Sequence, residues 1–293
     1  MSWATKLSDP YRVDHRKKFQ LKDFDPADTG GCDSKEHAQE LLDKGLADMR
    51  ELQDKLYAQD QWAVLIILQG MDASGKDGLI KHVMAGVNPE GCEVTSFKQP
   101  STEEQNHDFM WRSNRRLPER GHIGIFNRSY YEEVLVVRVH SDLMKHERIP
   151  EELKGKNIWQ ERFEDIRNSE RYLTRNGIAI RKCFLNLSKK EQKRRFLERL
   201  DNPEKNWKFS AADAREREFW DDYMNAYEEM IAATSRKHAL WYVVPADNKW
   251  YTRMVVAAAI VDALEELKLS YPKISGEQLK ALAAARKELE GKK

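Results

Sequence analysis

The chain has 293 residues, of which 40% are hydrophobic and 34% are charged, and its formal net charge is +1. This composition supports a sizeable core, and the balanced charge excludes a basic nucleic-acid-binding arm. The 3 cysteines are widely spaced, which excludes a disulfide framework and a zinc site and indicates reduced thiols in a cytoplasmic protein. No apolar run reaches the ~20 residues of a membrane span, and the N-terminus lacks a signal-peptide core. We therefore expect neither nucleic acid nor a membrane as partner.

The predicted elements begin after a polar arm at 1–33, which contains Pro10, Pro26 and two adjacent glycines and is expected to be extended. Asp33 and Glu36 have the spacing of a helix-capping box before a helical leucine stripe. The predicted strands are Trp62–Gln69, Glu93–Phe97, Ile123–Asn127, Ile178–Leu187 and Leu240–Val244. The further predicted helices are Gly78–Met84, Glu103–Leu117, Tyr130–Val139, Pro150–Asn176, Lys189–Leu200, Ala211–Ser235 and Trp250–Leu267, followed by a charged helical tail at 273–293.

The alternation of strands with helices predicts an α/β fold in which helices cover both faces of a parallel sheet, giving three layers. Such sheets bind ligands at the carboxyl ends of their strands. No segment has the composition of a linker, so residues 34–272 are expected to form one domain.

A glycine-rich loop follows the first predicted strand and runs directly into a predicted helix. It has the spacing G-x-x-x-x-G-K, in which backbone N–H groups surround phosphate oxygens and the lysine reaches the next phosphate. The N-terminus of the following helix adds the positive end of its dipole. The loop residues predicted to bind phosphate are Gly70, Ala73, Ser74, Gly75, Lys76 and Asp77.

Two acids distinguish this loop from the usual motif. Asp77 replaces the Ser or Thr whose hydroxyl normally binds magnesium, and Asp72 stands where most such loops have a neutral residue. Carboxylate oxygens suit magnesium, so the loop itself is predicted to hold Mg²⁺. Asp72 is the stronger candidate ligand, because Asp77 can instead stabilise the N-terminus of the next helix.

A second cluster of polar residues follows the third predicted strand. In phosphate-loop enzymes this position commonly holds an acid that binds magnesium, and here Asn127 supplies a neutral oxygen. Arg128 can clamp a phosphate with two hydrogen bonds, and Glu132 lies one helical turn further on. Tyr131 is included among the predicted binding residues. The alternative is that Asn127 and Ser129 only cap the next helix, a role that is compatible with catalysis.

Basic residues are concentrated near the same edge of the sheet, and as a group they predict a long polyanionic ligand. Taken singly, each is better explained as a solvated surface charge. The members predicted to bind nucleotide or polyphosphate are Lys81, Lys98, Arg112 and Arg194.

The segment at about 189–220 has the composition of a mobile lid. A basic helix is followed by a proline-interrupted stretch with Trp207, Lys208 and Phe209, and Lys208 is predicted to fold over the transferring phosphoryl group. The alternative is that Trp207 and Phe209 anchor a helical hairpin in the core.

Six sequence blocks together resemble the polyphosphate kinase 2 family. They occur in order within about 21–272, as Gln69–Gly78, Asn88–Gly91, Ser96–Pro100, Phe126–Glu132, Asn206–Phe209 and Pro245–Trp250. The resemblance implies a P-loop kinase fold similar to thymidylate kinase, with a helical lid. It also implies a magnesium-dependent reaction, inorganic polyphosphate as phosphoryl donor, and a homo-oligomer, either dimer or tetramer.

The resemblance also suggests roles for single residues. It implies a magnesium ligand at Asp72, a phosphate-binding lysine at Lys76, a phosphate clamp at Arg128 and a lid cation at Lys208. Family members that prefer ADP read Asp-Arg-Ser-Trp-Tyr-Asn after the third strand. This chain reads Asn-Arg-Ser-Tyr-Tyr-Glu at 127–132, which resembles members that accept AMP as well as ADP.

We therefore predict a kinase that transfers the terminal phosphoryl group of polyphosphate in line and reversibly to ADP, giving ATP, and to AMP, giving ADP. Two alternatives are an ATP-dependent nucleotide kinase and a non-catalytic module that binds polyanions. The near-zero net charge and the lack of a stacking pattern of aromatic residues disfavour the second.

Overall fold

The computed structural model describes residues 1–13, 18–32 and 34–291, except for the side chains of Lys208 and Ala211. Within these residues, the strands are β1 (Ala63–Gln69), β2 (Cys92–Ser96), β3 (Ile123–Asn127), β4 (Ile178–Asn186) and β5 (Ala239–Pro245). They form one parallel sheet in the order β2-β3-β1-β4-β5. Every predicted strand is confirmed, with boundaries that differ by no more than one residue.

Helices cover both faces of the sheet, which confirms the three-layer α/β prediction. The described α-helices are α1 (Trp3–Ser8), α2 (Lys35–Gln59), α3 (Lys76–Val83), α4 (Trp111–Asn114), α5 (Glu132–Val139), α6 (Ile158–Arg175), α7 (Lys189–Asp201), α8 (Ala211–Arg215), α9 (Trp220–Thr234), α10 (Lys249–Glu266) and α11 (Gly276–Gly291). One face carries α1, α2, α3 and α10, and the other carries α5, α6 and α9. None of these helices combines the length and apolar character needed to cross a bilayer.

The central strand β1 determines where the functional loops meet. All seven of its residues are buried, as expected for a parallel strand that is covered on both faces. In the register of the sheet, Leu68 of β1 lies beside Asn127 of β3, and Asn127 lies beside Ser96 of β2. The segments that follow these three strands therefore start from neighbouring points on one edge of the sheet.

The N-terminal arm differs from the predicted extended segment, because its first part is the helix α1. The Ser2 hydroxyl caps this helix by accepting a hydrogen bond from the Thr5 backbone N–H. Thr5 Oγ1 then donates to Asp262 Oδ1 of α10 at 2.6 Å, and Ala4 is fully buried. Packing against α10 and this capping bond stabilise a helix that composition alone did not predict.

Three predicted helices are shorter or interrupted. Residues 103–117 contain only a 3-10 turn at Glu104–Asn106 and the short α4, since the Asp108 side chain accepts the Met110 N–H and turns the chain between them. The helix predicted from Pro150 begins only at Ile158, and the one predicted from Ala211 is interrupted by a 3-10 turn at Glu216–Phe219.

The helix α2 is capped by Ser34, whose Oγ accepts the His37 N–H and donates to the Glu36 carboxylate. Asp33, the predicted capping residue, lies outside the described residues. The predicted helical tail is confirmed as α11, in which no residue is buried.

Candidate active site

The glycine-rich loop between β1 and α3 folds around the ammonium group of Lys76. Lys76 Nζ donates to the carbonyl oxygens of Gly70 at 2.6 Å and Met71 at 3.3 Å, and lies 3.4 Å from Ser74 Oγ. Burial, followed by the positive charge of Arg128, lowers the pKa of Lys76 to about 8. The lysine is thus a buried cation that a bound anion would stabilise further.

The loop requires glycine where the backbone makes its closest approach to neighbouring groups. A Cβ at Gly70 would lie 2.9 Å from Ser74 Oγ and 3.1 Å from the Leu185 carbonyl oxygen. Gly75 has φ of +103°, and Ala73 also adopts a positive φ of +63°. These left-handed residues curve the chain ahead of the N-terminus of α3, the geometry expected of a phosphate-binding loop.

Arg128 connects the glycine-rich loop to α5. Its Nη2 lies 2.8 Å from Asp72 Oδ1, and its Nη1 lies 3.3 Å from Glu132 Oε2. Arg128 has φ of +66°, and its backbone N–H donates to the Leu68 carbonyl oxygen of β1 at 3.0 Å. A guanidinium thus stands between two carboxylates at the sheet edge, where it can also bind phosphate oxygens.

Asp77 and Asn127 form a second link across the sheet edge. Asn127 Nδ2 donates to Asp77 Oδ1 at 2.7 Å and lies 3.4 Å from Ser96 Oγ. Asp77 stands in the first turn of α3, where an acid also stabilises the helix. Asp77 does not cap the helix, since the N-cap residue is Gly75 and no side chain caps it.

A cleft of about 820 Å³ opens beside these residues, within the range of ligand sites, about 300–1,000 Å³. Its walls come from the glycine-rich loop, the residues after β2, the end of β3, the segment 195–213 and the start of α10. The predicted site residues that line it are Asp72, Ala73, Ser74, Gly75, Lys76, Asp77, Lys98, Asn127 and Arg128. Gly70 and Glu132 do not line it but bind Lys76 and Arg128, respectively.

Four other predicted binding residues lie elsewhere. Arg112 is buried, pairs with Glu133 at 3.0 Å and donates to the Lys98 carbonyl oxygen at 2.7 Å. Because Lys98 lines the cleft and Arg112 does not, Arg112 supports the cleft wall without facing the cleft. Tyr131 is fully buried in the core, because its side chain points beneath the sheet edge. Lys81 and Arg194 are exposed on α3 and α7 and are not part of the cleft wall.

Arg195, the neighbour of Arg194, is the main contact that sequence reasoning missed. Its guanidinium donates to the carbonyl oxygens of Ala73 and Ser74 at 2.9 and 3.0 Å, and to those of Ala246 and Asp247 at 2.6 and 3.1 Å. It thereby joins the glycine-rich loop to the β5–α10 loop. The sequence does indicate that Arg195 is buried, because helical spacing places it on the same face of α7 as Gln192 and Phe196.

Further charged residues, which were not among the predicted binding residues, also line the cleft. They are Glu198, Arg199, Lys205, Asp213, Lys249 and Arg253. The pKa of Asp213 is raised by burial and then by the negative charge of Asp72, which lines the same cleft. The cleft therefore contains acids as well as basic residues, and Glu198 pairs with Lys205 at 2.7 Å.

The predicted lid contains α7, a 3-10 turn at Asn206–Lys208, and α8. Trp207 is 78% exposed and lines the cleft, so it does not anchor a core hairpin. Phe209 does pack inward, with its ring centroid 6.0 Å from that of Phe196. The side chain of Lys208 lies outside the described part of the structure.

The donor atoms near the glycine-rich loop fit a magnesium ion that binds together with phosphates. Asp72, Asp77 and Asn127 present oxygen ligands in one cleft. In the described ranges, no group of three or more His, Cys, Asp and Glu side chains forms a complete metal cage. Magnesium is commonly held by one or two carboxylates, with substrate phosphates and water completing its shell, so this small set suffices.

Comparison with known proteins identifies relatives that match most of the chain. The sequence model of the family Polyphosphate kinase 2 matches residues 32–272. ADP-polyphosphate phosphotransferase of Rhodopseudomonas palustris is 51% identical over 280 residues, which cover 95% of this chain and 97% of that protein. AMP/ADP-polyphosphate phosphotransferase of Meiothermus ruber is 45% identical over 263 residues, covering 89% and 94%. The crystal structure of polyphosphate kinase 2 from Arthrobacter aurescens superposes with a TM-score of 0.87 at 38% identity, covering 97% of this chain and 99% of that one.

Proposed function

Because the chain belongs to the polyphosphate kinase 2 family, we propose that it transfers the terminal phosphoryl group of inorganic polyphosphate to ADP, giving ATP, and to AMP, giving ADP. The observation that carries this proposal is the convergence of Lys76, Arg128 and the basic residues of 195–253 on one cleft that also contains Asp72 and Asp77. Such a cleft suits two phosphate chains and a divalent cation together.

The reaction needs no protein nucleophile. An oxygen of the terminal phosphate of ADP or AMP attacks the terminal phosphorus of polyphosphate, and the bond from that phosphorus to the bridging oxygen breaks. The shortened polyphosphate leaves with the electron pair. The attacking group is already an anion, so a general base is unnecessary, and positioning and charge neutralisation supply the catalysis. A phosphoanhydride bond is broken and another is formed, which makes the transfer to ADP readily reversible.

Each group of residues has a distinct part in this scheme. The loop N–H groups and Lys76 bind phosphate oxygens at the N-terminus of α3, and Arg128 stabilises the non-bridging oxygens in the transition state. Lys205, Lys249 and Arg253 line the same cleft and extend the positive surface along a polyphosphate chain. We assign Lys208 to the lid, as the sequence motif suggests.

Magnesium is the proposed cofactor. Asp72 and Asp77 would hold it, with Asn127 orienting Asp77 through the 2.7 Å hydrogen bond. When bound, the ion offsets negative charge between donor and acceptor phosphates.

The use of AMP as a second acceptor rests on the sequence at 127–132 and on Glu132. Glu132 is paired with Arg128, and its side chain is only 14% exposed. The relative from Meiothermus ruber is named for both AMP and ADP, whereas the one from Rhodopseudomonas palustris is named for ADP. The residue pattern of this chain supports the dual-acceptor assignment.

The decisive experiment supplies pure ADP, magnesium and polyphosphate without ATP and measures ATP. The proposed enzyme makes ATP in an amount that depends on polyphosphate. A non-catalytic polyanion-binding module makes none, and an ATP-dependent nucleotide kinase makes at most the ATP that two ADP molecules yield, which a reaction without polyphosphate measures. A parallel reaction with AMP, run with an inhibitor of contaminating adenylate kinase, tests the second acceptor. Binding of polyphosphate without turnover in either reaction would favour the non-catalytic module.

We also propose a cytoplasmic homo-oligomer, either dimer or tetramer. The family resemblance supports the assembly, and the free thiols of Cys32, Cys92 and Cys183 are in keeping with a reducing compartment. Light scattering coupled to size-exclusion chromatography gives the mass directly, and a monomer at working concentration would contradict the assembly.

A further inference from the structure

A buried ion pair lies beneath the sheet edge, outside the wall of the cleft. Glu170 of α6 and Lys182 of β4 have no exposed side-chain surface, and Lys182 Nζ lies 2.7 Å from Glu170 Oε2. Replacing such a pair with apolar residues is often neutral or stabilising, because burying two charges costs much of what their attraction returns. Stability alone therefore does not account for this pair.

The polar atoms of the pair are directed at two consecutive tyrosines. Glu170 Oε1 accepts hydrogen bonds from the hydroxyls of Tyr130 at 3.0 Å and Tyr131 at 2.7 Å. Lys182 Nζ donates to the Tyr131 hydroxyl and to the Thr234 carbonyl oxygen, both at 2.9 Å. Both tyrosines are buried. Their hydroxyls are thus held by a charged acceptor in a medium where unpaired polar groups are costly.

Tyr130 and Tyr131 follow the strained residue Arg128, with only Ser129 in between. A positive φ at a residue with a long side chain persists only where the surroundings impose it. The Leu68 carbonyl oxygen accepts the Arg128 N–H at 3.0 Å, and Ser129 Oγ accepts both the Tyr131 N–H and Gln69 Nε2 at 3.2 Å. These bonds hold the turn at its start, and the two tyrosine hydroxyls hold it at its end.

We propose that Glu170 is a positioning residue for catalysis, which acts through Tyr130 and Tyr131 to hold Arg128 in the orientation that faces the cleft. Lys182 keeps the Glu170 carboxylate paired, so that it accepts both hydroxyl hydrogen bonds. The catalytic part of this inference rests on the proposed function, because it gives Arg128 a part in phosphoryl transfer. Its structural part, the restraint on the turn, is independent of any activity.

The test uses Tyr131→Phe, which removes one hydroxyl and keeps the buried ring. We expect kcat to fall about 10-fold or more while KM for ADP changes by less than about twofold, because misplacing a catalytic group by about 1 Å can cost 10²-fold. Tyr11→Phe is the matched control. It removes another buried hydroxyl, which donates to Asp28 Oδ2 at 2.7 Å and lies 2.7 Å from the Tyr251 hydroxyl of α10, and it should leave kcat unchanged.

A double-mutant cycle separates positioning from a general loss of stability. When Arg128 is already replaced with alanine, adding Tyr131→Phe should lower kcat by less than about twofold, because the group that it positions is absent. An equal loss of kcat with and without Arg128 would overturn the proposal. Glu170→Gln should show the same loss of kcat if the variant folds. If it does not fold, the effect of Tyr131→Phe with and without Arg128 tests the proposal.

Hydrogen exchange provides a measurement that does not depend on turnover. In Tyr131→Phe the backbone amides of 127–132 should exchange faster than in wild type, and in Tyr11→Phe they should not. Unchanged exchange in Tyr131→Phe would refute the restraint even if the wild type made no ATP from polyphosphate. Absence of wild-type turnover with faster exchange would instead refute the proposed function and, with it, the catalytic role given to Glu170.

Discussion

The side-chain amide of Asn127 donates a 2.7 Å hydrogen bond to the carboxylate of Asp77, which joins the end of β3 to the first turn of α3. The two residues are 50 positions apart, and each departs from the common form of its motif. An acid at the end of β3 would repel Asp77, whereas an amide can donate to it. The site therefore has its carboxylate at position 77, in the first turn of α3, and a neutral hydrogen-bond donor at the end of β3.

Lys76→Ala should abolish phosphoryl transfer and leave the protein folded. The ammonium group serves the phosphates, and removing it also removes the cost of burying a charge. Loss of one such electrostatic contact commonly lowers kcat by ~10²-fold or more. Turnover of ADP and polyphosphate is measured beside a thermal melt, with Lys55→Ala on the exposed side of α2 as control. Near-normal turnover in the folded variant would contradict the role of the glycine-rich loop.

The affinity for polyphosphate should weaken as the pH rises through about 8. The free protein has Lys76 with a pKa of about 8, lowered chiefly by burial. Bound phosphate stabilises the charged form and raises that pKa, so above pH 8 binding must take up a proton. The dissociation constant should then increase by up to about tenfold per pH unit. Lys76→Arg stays protonated throughout, and its titrations between pH 7 and 9.5 should lack this dependence; if they show it, another group is responsible.

Asp72→Asn should raise the magnesium concentration needed for half-maximal activity. The substitution keeps the size of the side chain but removes a negative oxygen that lines the cleft beside the glycine-rich loop. Asp72 also pairs with Arg128, so Arg128→Lys, which alters that pair but keeps the Asp72 carboxylate, is the control. A magnesium titration that is the same in wild type and Asp72→Asn would show that the ion is held elsewhere.

Arg195→Met should lower both stability and activity, whereas Arg194→Met should change neither strongly. The first leaves buried carbonyl oxygens of the glycine-rich loop and of the β5–α10 loop without their donor, at a cost of about 1–3 kcal/mol for an unsatisfied group. The second removes a side chain that is 60% exposed. Urea unfolding measures the stability of each variant, and steady-state assays measure its activity. Equal losses in the two variants would disprove the role of Arg195 in joining the two loops.

Glu132→Asn should reduce phosphorylation of AMP more than that of ADP. Glu132 Oε2 lies 3.3 Å from Arg128 Nη1, so it can change the position of the Arg128 guanidinium when the acceptor has one phosphate fewer. Initial rates with each acceptor under saturating polyphosphate give the ratio, with a control for adenylate kinase. Equal losses would remove Glu132 as the discriminating residue, and a wild type inactive on AMP would exclude the dual acceptor.

The sequence by itself determined the fold class and the part of the cleft that the glycine-rich loop forms, because both depend on local patterns. Buried parallel strands read as apolar runs, and the glycine-lysine spacing encodes a loop whose backbone must bend at fixed positions. The prediction therefore gave each strand to within one residue and identified nine residues that line the cleft. Asp72, Lys76 and Arg128 lie at one edge of the sheet, as expected for residues that follow the carboxyl ends of parallel strands.

Only the tertiary structure decided which face each remaining side chain presents. Arg194 and Arg195 have the same chemistry and are neighbours on α7. Arg194 forms an exposed ion pair, whereas Arg195 donates to buried carbonyl oxygens. Arg112 and Tyr131 come from the right segments, yet they point into the protein because Glu133 and Glu170 offer them buried acceptors. Such partners lie 21 and 39 residues away along the chain, and no local pattern records a contact that packing creates.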